Sequence, residues 1–121
     1  MHRDENKIYF SQTLAKIGEL KEGWVPGGRP ISRIAIQNTR AILNALPECN
    51  ELQYLDVGPF VNGSVFLTYR NDDKHMCLNI AEVGVSAVFY TKINKELDTY
   101  VDDTFKPSEI DKIVDFIKKG L

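Results

Sequence analysis

Apolar side chains recur at helical spacing from about Asn6 to Lys21. Phe10, Leu14, Ile17 and Leu20 fall on one stripe with Ile8 and Ala15 nearby, which predicts a first helix that Gly23 ends. The next seven residues, Trp24-Val25-Pro26-Gly27-Gly28-Arg29-Pro30, are turn formers that cannot propagate a helix. Proline suits a first helical turn, so a second helix is expected at or just after Pro30, with Ser32 placed to cap it. Its stripe reads Ile31, Ile34, Ala35, Ala41, Ile42, Ala45 and Leu46, and Pro47 closes it. The simple picture is two antiparallel helices joined by a Gly-Pro loop.

From Glu51 the period changes to two. A strand is expected from Leu52 to Val57, ended by Gly58-Pro59. If Arg70 faces His75 across a turn, then Tyr69 meets Met76, Leu67 meets Leu78 and Val65 meets Ile80. A next reversal centred on Val83-Gly84 sets Ile80 against Ala87, Leu78 against Phe89 and Met76 against Thr91. Both registers select the same apolar face of the middle strand. A further short strand is expected from Glu96 to Val101. Pro107-Ser108-Glu109 then opens a last helix, with Ser108 as N-cap and Asp111 in a capping-box position. Its stripe is Ile110, Ile113, Val114, Ile117 and Leu121, and Lys118 and Lys119 suit its C-terminal dipole. The order α-α-β-β-β-β-(β)-α predicts a single two-layer α+β domain over residues 1–121, built on an antiparallel meander of four to five strands.

Composition narrows the function classes. The 121 residues are 43% hydrophobic and 26% charged, ordinary values for a folded domain. Fifteen basic against seventeen acidic side chains leave −2, too balanced for nucleic-acid binding by bulk electrostatics. No apolar run is long enough to span a bilayer, and the charged opening Met1 to Lys7 has no apolar stretch behind it, so no membrane association or signal peptide is expected. Cys49 and Cys77, 28 positions apart, read as two thiols in a reducing cytoplasm. With His2 and His75 they match no zinc spacing, and neither a metal nor a cofactor is expected. The near-zero total hides a segregation. Residues 51–105 carry nine acidic and four basic side chains, a balance of −5 that leaves +3 for the remainder.

Three features are candidates for function. The second sheet face collects Phe66, Thr68, Cys77, Asn79, Ala81, Ser86, Val88 and Tyr90, too apolar for a solvated face and too polar for a deep core. Either the last helix or a loop covers it, or it is an interface to a protein partner or a second copy. In the interface reading Phe66, Thr68, Val88 and Tyr90 are the contact residues, and the chain is a non-enzymatic interaction module. The alternative is a small-molecule or anion site. Gly27 and Gly28 precede a helix N-terminus beside Trp24 and Arg29, and Arg33 and Arg40 continue an arginine stripe with no acid between Glu22 and Glu48. A tight interhelix turn under Trp24 explains the same residues. That stripe can answer the acidic tract Glu96, Asp98, Asp102 and Asp103, within one molecule or across two; the plainer account of the tract is a solvated edge strand protected by its charge. The third reading is a small hydrolase-type enzyme using Asp72, Asp73 and His75 at a hairpin tip, where acids more often serve the turn itself. No catalytic motif supports it, and no catalytic residue is assigned.

With Gly23-Trp24 and Pro30-Ile31 in view, the chain resembles a loose group of small bacterial proteins of unknown function. Their pattern is Gly-Trp-Asp-Gly, a short gap, Pro-Ile opening a helix, then a Gly-Gly or Gly-Ser before a meander. Here the matching residues are Trp24, Gly27 or Gly28, Pro30-Ile31, Pro59, Asn62-Gly63-Ser64 and Gly84. Val25 stands where the group has Asp. The resemblance implies an α+β fold and a bacterial source, and carries no activity or site residue across.

Overall fold

The computed structural model describes residues 5–121, so His2 and the first four residues of the charged opening lie outside the described residues. Helix α1 (Asn6–Ile17) and helix α2 (Arg33–Ala45) precede a 3-10 turn at Asn50–Tyr54. Strands β1 (Leu55–Pro59), β2 (Val65–Asn71), β3 (Lys74–Ile80), β4 (Val85–Ile93) and β5 (Glu96–Phe105) follow, and α3 (Ile110–Gly120) ends the chain. The five strands form one antiparallel sheet in the order β1-β2-β3-β4-β5, the meander that the alternation predicts.

The first hairpin has the expected register, with Arg70 opposite His75, Leu67 opposite Leu78 and Val65 opposite Ile80. The second differs. Ile80 faces Val85, Leu78 faces Ala87 and Met76 faces Phe89, because the turn closes on Glu82-Val83 with Ala81 donating to the Gly84 carbonyl at 2.9 Å. The offset from the expected pairing is two residues. A slip of two preserves every side chain's face, so the apolar alternation could not detect it.

All three helices pack on one face of the sheet. That inner face carries Val65, Leu67, Tyr69, Met76, Leu78, Ile80, Val85 and Ala87, buried together with Phe10, Leu14, Ala35, Ile42, Ile113 and Ile117. α1 ends at Ile17, earlier than the pattern suggested, and Leu20 reaches the core from a turn beyond it.

In α2 the buried stripe is Ala35, Ile36, Thr39, Ile42 and Leu43; Ile34, expected inside, is 49% exposed. Ala41 and Ala45 are exposed with it. Those three lie at i, i+7 and i+11, a stripe of their own on another side of the helix. Thr39 reads as polar in sequence, yet it buries because its hydroxyl donates to the Ala35 carbonyl at 2.8 Å. Ser32 caps α2 as expected, accepting from Ala35 N–H at 3.1 Å. The far end of α2 is held from α1, where the Lys7 ammonium donates to the Leu43 and Leu46 carbonyls.

Two other boundaries move. Leu52 to Tyr54 is 3-10 rather than strand, and β1 runs through Gly58-Pro59. Proline is tolerated there because β1 is an edge strand. Ser108 does not cap α3: Glu109 is the N-cap residue, and its carboxylate turns back to accept from Lys106 N–H at 2.8 Å.

Candidate functional site

Among the described residues no helix packs on the outer face of the sheet. Cross-strand pairs share a face, so the registers order it into rows. One row reads Phe66, Asn79, Ser86, Thr104; the next Thr68, Cys77, Val88, Asp102; the third Arg70, His75, Tyr90, Tyr100. Every residue expected on this face is present, including Ala81 opposite Gly84 beyond the end of β3. The helix that could have covered them, α3, sits on the other side: a Cβ at its Gly120 would lie 2.9 Å from Met76 Sδ and 3.1 Å from Phe89. The β1–β2 loop leans on one end of the outer face: Phe60 is edge-on to Phe66 with ring centroids 4.5 Å apart, and the Ser64 hydroxyl accepts from Asn79 Nδ2 at 2.8 Å.

β5 enlarges this surface beyond the sequence expectation. It extends to Phe105, not Val101, and sets Tyr100 beside Tyr90 and Leu97 opposite Lys92. The signal for it was Asn94-Lys95, where both residues adopt positive φ in a two-residue turn; from it β4 and β5 pair from Ile93–Glu96 to Val85–Phe105, with one bulge at Thr91/Lys92 that leaves Asp98 without a cross-strand partner. Tyr100 is 55% exposed and Leu97 61%.

His75 is stacked on Tyr90, with centroids 4.7 Å apart and ring planes 6° from parallel. Partial burial lowers its pKa, and the nearby Arg70 and Lys92 cations push the same way against the weaker pull of Asp73. The unfolded chain then binds a proton more readily than the folded one. The stabilising contribution of neutral His75 is present above its unfolded value of about 6.5 and is lost as pH falls through the lower folded value. His75→Gln is therefore expected to flatten the fall in thermal midpoint between pH 7 and pH 5. A parallel fall in both proteins would show that His75 carries none of it.

The glycine loop is a closed structure. Gly23 N–H donates to the Gly28 carbonyl and Gly28 N–H to Val25 O, both at 2.8 Å, while Arg29 N–H reaches Val61 O at 3.0 Å. Trp24 Nε1 donates to the Arg29 carbonyl at 2.7 Å. The amides of Gly28 and Arg29 therefore serve the turn and its link to the β1–β2 loop. Beside it lies a cleft of about 360 Å³ lined by Arg29, Pro30, Ser32, Asn62, Gly63, Ser64 and Glu82. Between two of its lining residues, the Ser32 hydroxyl donates to the Glu82 carboxylate at 2.7 Å. The anion at the α2 N-terminus is thus the protein's own, delivered by the β3–β4 turn, whose Ala81 and Glu82 carbonyls also accept from Asn38. The sequence offered no sign of Glu82 in this role, since it lies 50 residues from Ser32.

Of the expected arginine stripe, Arg33 and Arg40 lie on α2 and Arg29 does not. α2 begins at Arg33, so Arg29 is outside it and lines the Glu82 cleft, whereas Arg40 lines a small hollow of about 90 Å³ with Lys7, Phe10 and Leu43. Among the described residues the arginines make no ion pair with Glu96, Asp98, Asp102 or Asp103; the one ion pair is Lys112–Glu109 at 3.0 Å. Asp72 and Asp73 are exposed in the β2–β3 turn, where Asp72 takes a positive φ, and neither lines a cleft described above. Cys49 and Cys77 are both free, and among the described residues no cluster of three metal-ligating side chains occurs. Among them, too, no helix is long and apolar enough to cross a membrane. No family model, curated protein or solved structure matches the chain.

Proposed function

We propose that the protein is a non-enzymatic interaction module whose open sheet face packs against a protein surface, in the first instance that of a second copy. The observation that carries this reading is the one-sided layering: three helices on one face of a five-stranded sheet, with Phe66, Val88, Tyr90 and Tyr100 across the other. Five strands at about 4.8 Å and seven residues at about 3.4 Å make a plan area of about 570 Å². Side-chain relief brings its accessible area toward the roughly 800 Å² that each partner gives to a standard interface. Aromatic rings among Thr, Ser, Asn and Cys match the composition of interface cores, where bulky anchors sit beside small polar groups.

The catalytic alternative lacks support in the geometry. Asp72 and Asp73 stand in water at a hairpin tip, and His75 is turned onto Tyr90. Such a tip neither excludes water nor gathers groups around a reacting atom.

Light scattering tests the proposal. The wild-type protein is expected to show twice the monomer mass at tens of micromolar, and Tyr90→Asp to run as a folded monomer with unchanged far-ultraviolet circular dichroism. A wild-type monomer at millimolar concentration would overturn the homomeric reading.

A further inference from the structure

The two edges of the sheet are finished differently. In an antiparallel ladder alternate residues point their N–H and C=O groups toward one neighbour and then the other. Asn71 and Lys74 close the β2–β3 turn, so on β1 the outward-pointing residues are Leu55, Val57 and Pro59. Each is sealed. Leu55 N–H donates to the Leu52 carbonyl, Val57 N–H to Asp56 Oδ1 at 2.9 Å, and Pro59 has no N–H.

On the other side, the Ala81–Gly84 bond gives the even-numbered residues of β4 to β3 and the odd-numbered ones to β5. Opposite them stand Thr99, Val101, Asp103 and Phe105. Tyr100, Asp102 and Thr104 therefore point their backbone groups off the sheet. Thr104 shows this directly, because its N–H donates to Asp103 Oδ1 at 2.8 Å rather than to β4. Among the described residues the N–H groups of Tyr100 and Asp102 have no such cover, nor is β5 shortened or blocked by proline. It is the longest strand, ten residues, and exposed along all but its last residue.

We propose that β5 is an acceptor edge to which an extended segment of a partner protein, rich in Lys or Arg, adds as a sixth strand. This goes beyond the open-face reading, since it uses the edge and not the face. Charge chooses the occupant. Glu96, Asp98, Asp102 and Asp103 lie on β5, which has no basic residue, and among the described residues Asp98 accepts from the Thr91 and Thr99 hydroxyls alone. Lys95 and Lys106 flank the strand, Lys92 lies opposite Leu97, and Lys112 and Lys119 on α3 share a shallow groove with Asp103; among the described residues none of the five makes an ion pair with a β5 carboxylate. A second β5 is a poor occupant, because two such strands would bring four carboxylates each into one ribbon without a cation. A basic strand meets opposite charge in either direction. Its intervening apolar side chains find Tyr100 and Leu97 on one side of the edge and Val101, 45% exposed, on the other. Main-chain bonds then provide affinity and alternate side chains selectivity, as in other strand additions.

Fluorescence anisotropy with a labelled eight-residue peptide alternating Lys with Val or Thr is the test, run beside its Glu-for-Lys counterpart. The basic peptide is expected to bind in the micromolar range, and the acidic one at least tenfold more weakly. Asp102→Pro deletes one outward N–H while leaving the β4 ladder intact, and is expected to weaken binding at least tenfold. Asp102→Asn keeps that N–H and is expected to lose only a few-fold, with a shallower salt dependence. Amide exchange on the wild-type protein reads the edge without any substitution: the basic peptide is expected to slow Tyr100 and Asp102 selectively. Equal binding of both peptides, or peptide binding that leaves those two amides unprotected, would overturn the proposal. Tyr90→Asp is expected to retain peptide binding, so failure of the face and failure of the edge are separate results.

Discussion

Leu78→Ala is expected to destabilise the protein by about 3 kcal/mol, the middle of the range for truncating a fully buried leucine. In a domain of this size that lowers the thermal midpoint by roughly 10–15 °C. Leu78 lies on β3, the central strand, opposite Leu67 on one side and Ala87 on the other, and it is completely buried. Strand pairing fixes its backbone on both sides, so neighbours can close the resulting void only by moving the helix layer, and the cavity cost remains alongside the lost transfer energy. Val83→Ala at the exposed β3–β4 turn is the control and is expected to stay within about 0.5 kcal/mol of wild type. Urea unfolding of the three proteins measures the difference. A Leu78 effect no larger than that of Val83 would mean that the core is not organised around the central strand.

The second large effect is expected at Gly28. A Cβ there would lie 2.9 Å from both Trp24 Nε1 and Val25 Cγ2 and 3.0 Å from the Val25 carbonyl. The two side chains can shift, but the carbonyl belongs to the Val25–Gly28 turn bond and has nowhere to go. Gly28→Ala therefore opens the turn, or pushes the indole off the Arg29 carbonyl, at a cost of about 2–3 kcal/mol. Trp24 is the sole tryptophan, so its emission reports the event. A red shift in native buffer accompanied by a lower unfolding midpoint is the expected pair of results. Unchanged emission with unchanged stability would show that the loop accepts a side chain without rearranging. The Gly-Trp and Pro-Ile residues that mark this segment in sequence thus have a structural role: they build the turn that ties the first helix pair to the β1–β2 loop.

Physical origin separates what could be read in advance from what could not. The Asn71–Lys74 turn was legible because its two turn residues force the pairing on either side, and one arrangement alone puts Val65, Leu67 and Tyr69 against Ile80, Leu78 and Met76. The face of each strand was legible for the same reason. The exact partner across the β3–β4 turn was not, since the alternation repeats every two residues and Gly84, the glycine that marks the reversal in sequence, lies just outside the Glu82-Val83 turn. In α2, Ile34 with the alanines competed with Ile36 and Leu43 for the inside. A bond from the Thr39 hydroxyl to its own helix removed the cost that would have excluded it.

The chain's own residue pattern thus determined the α+β class, the meander and which side chains share a face, because those follow from periods of 3.6 and 2 along a single stretch of chain. Only the tertiary structure decided that all three helices crowd one side, that Glu82 fills the α2 N-terminus, and that β1 is sealed while β5 stays open. Each of those depends on groups tens of residues apart meeting in space. The small total charge belongs with them: the −5 of residues 51–105 and the +3 of the remainder offset to −2 in the sum, while among the described residues no ion pair joins a β5 carboxylate to an arginine.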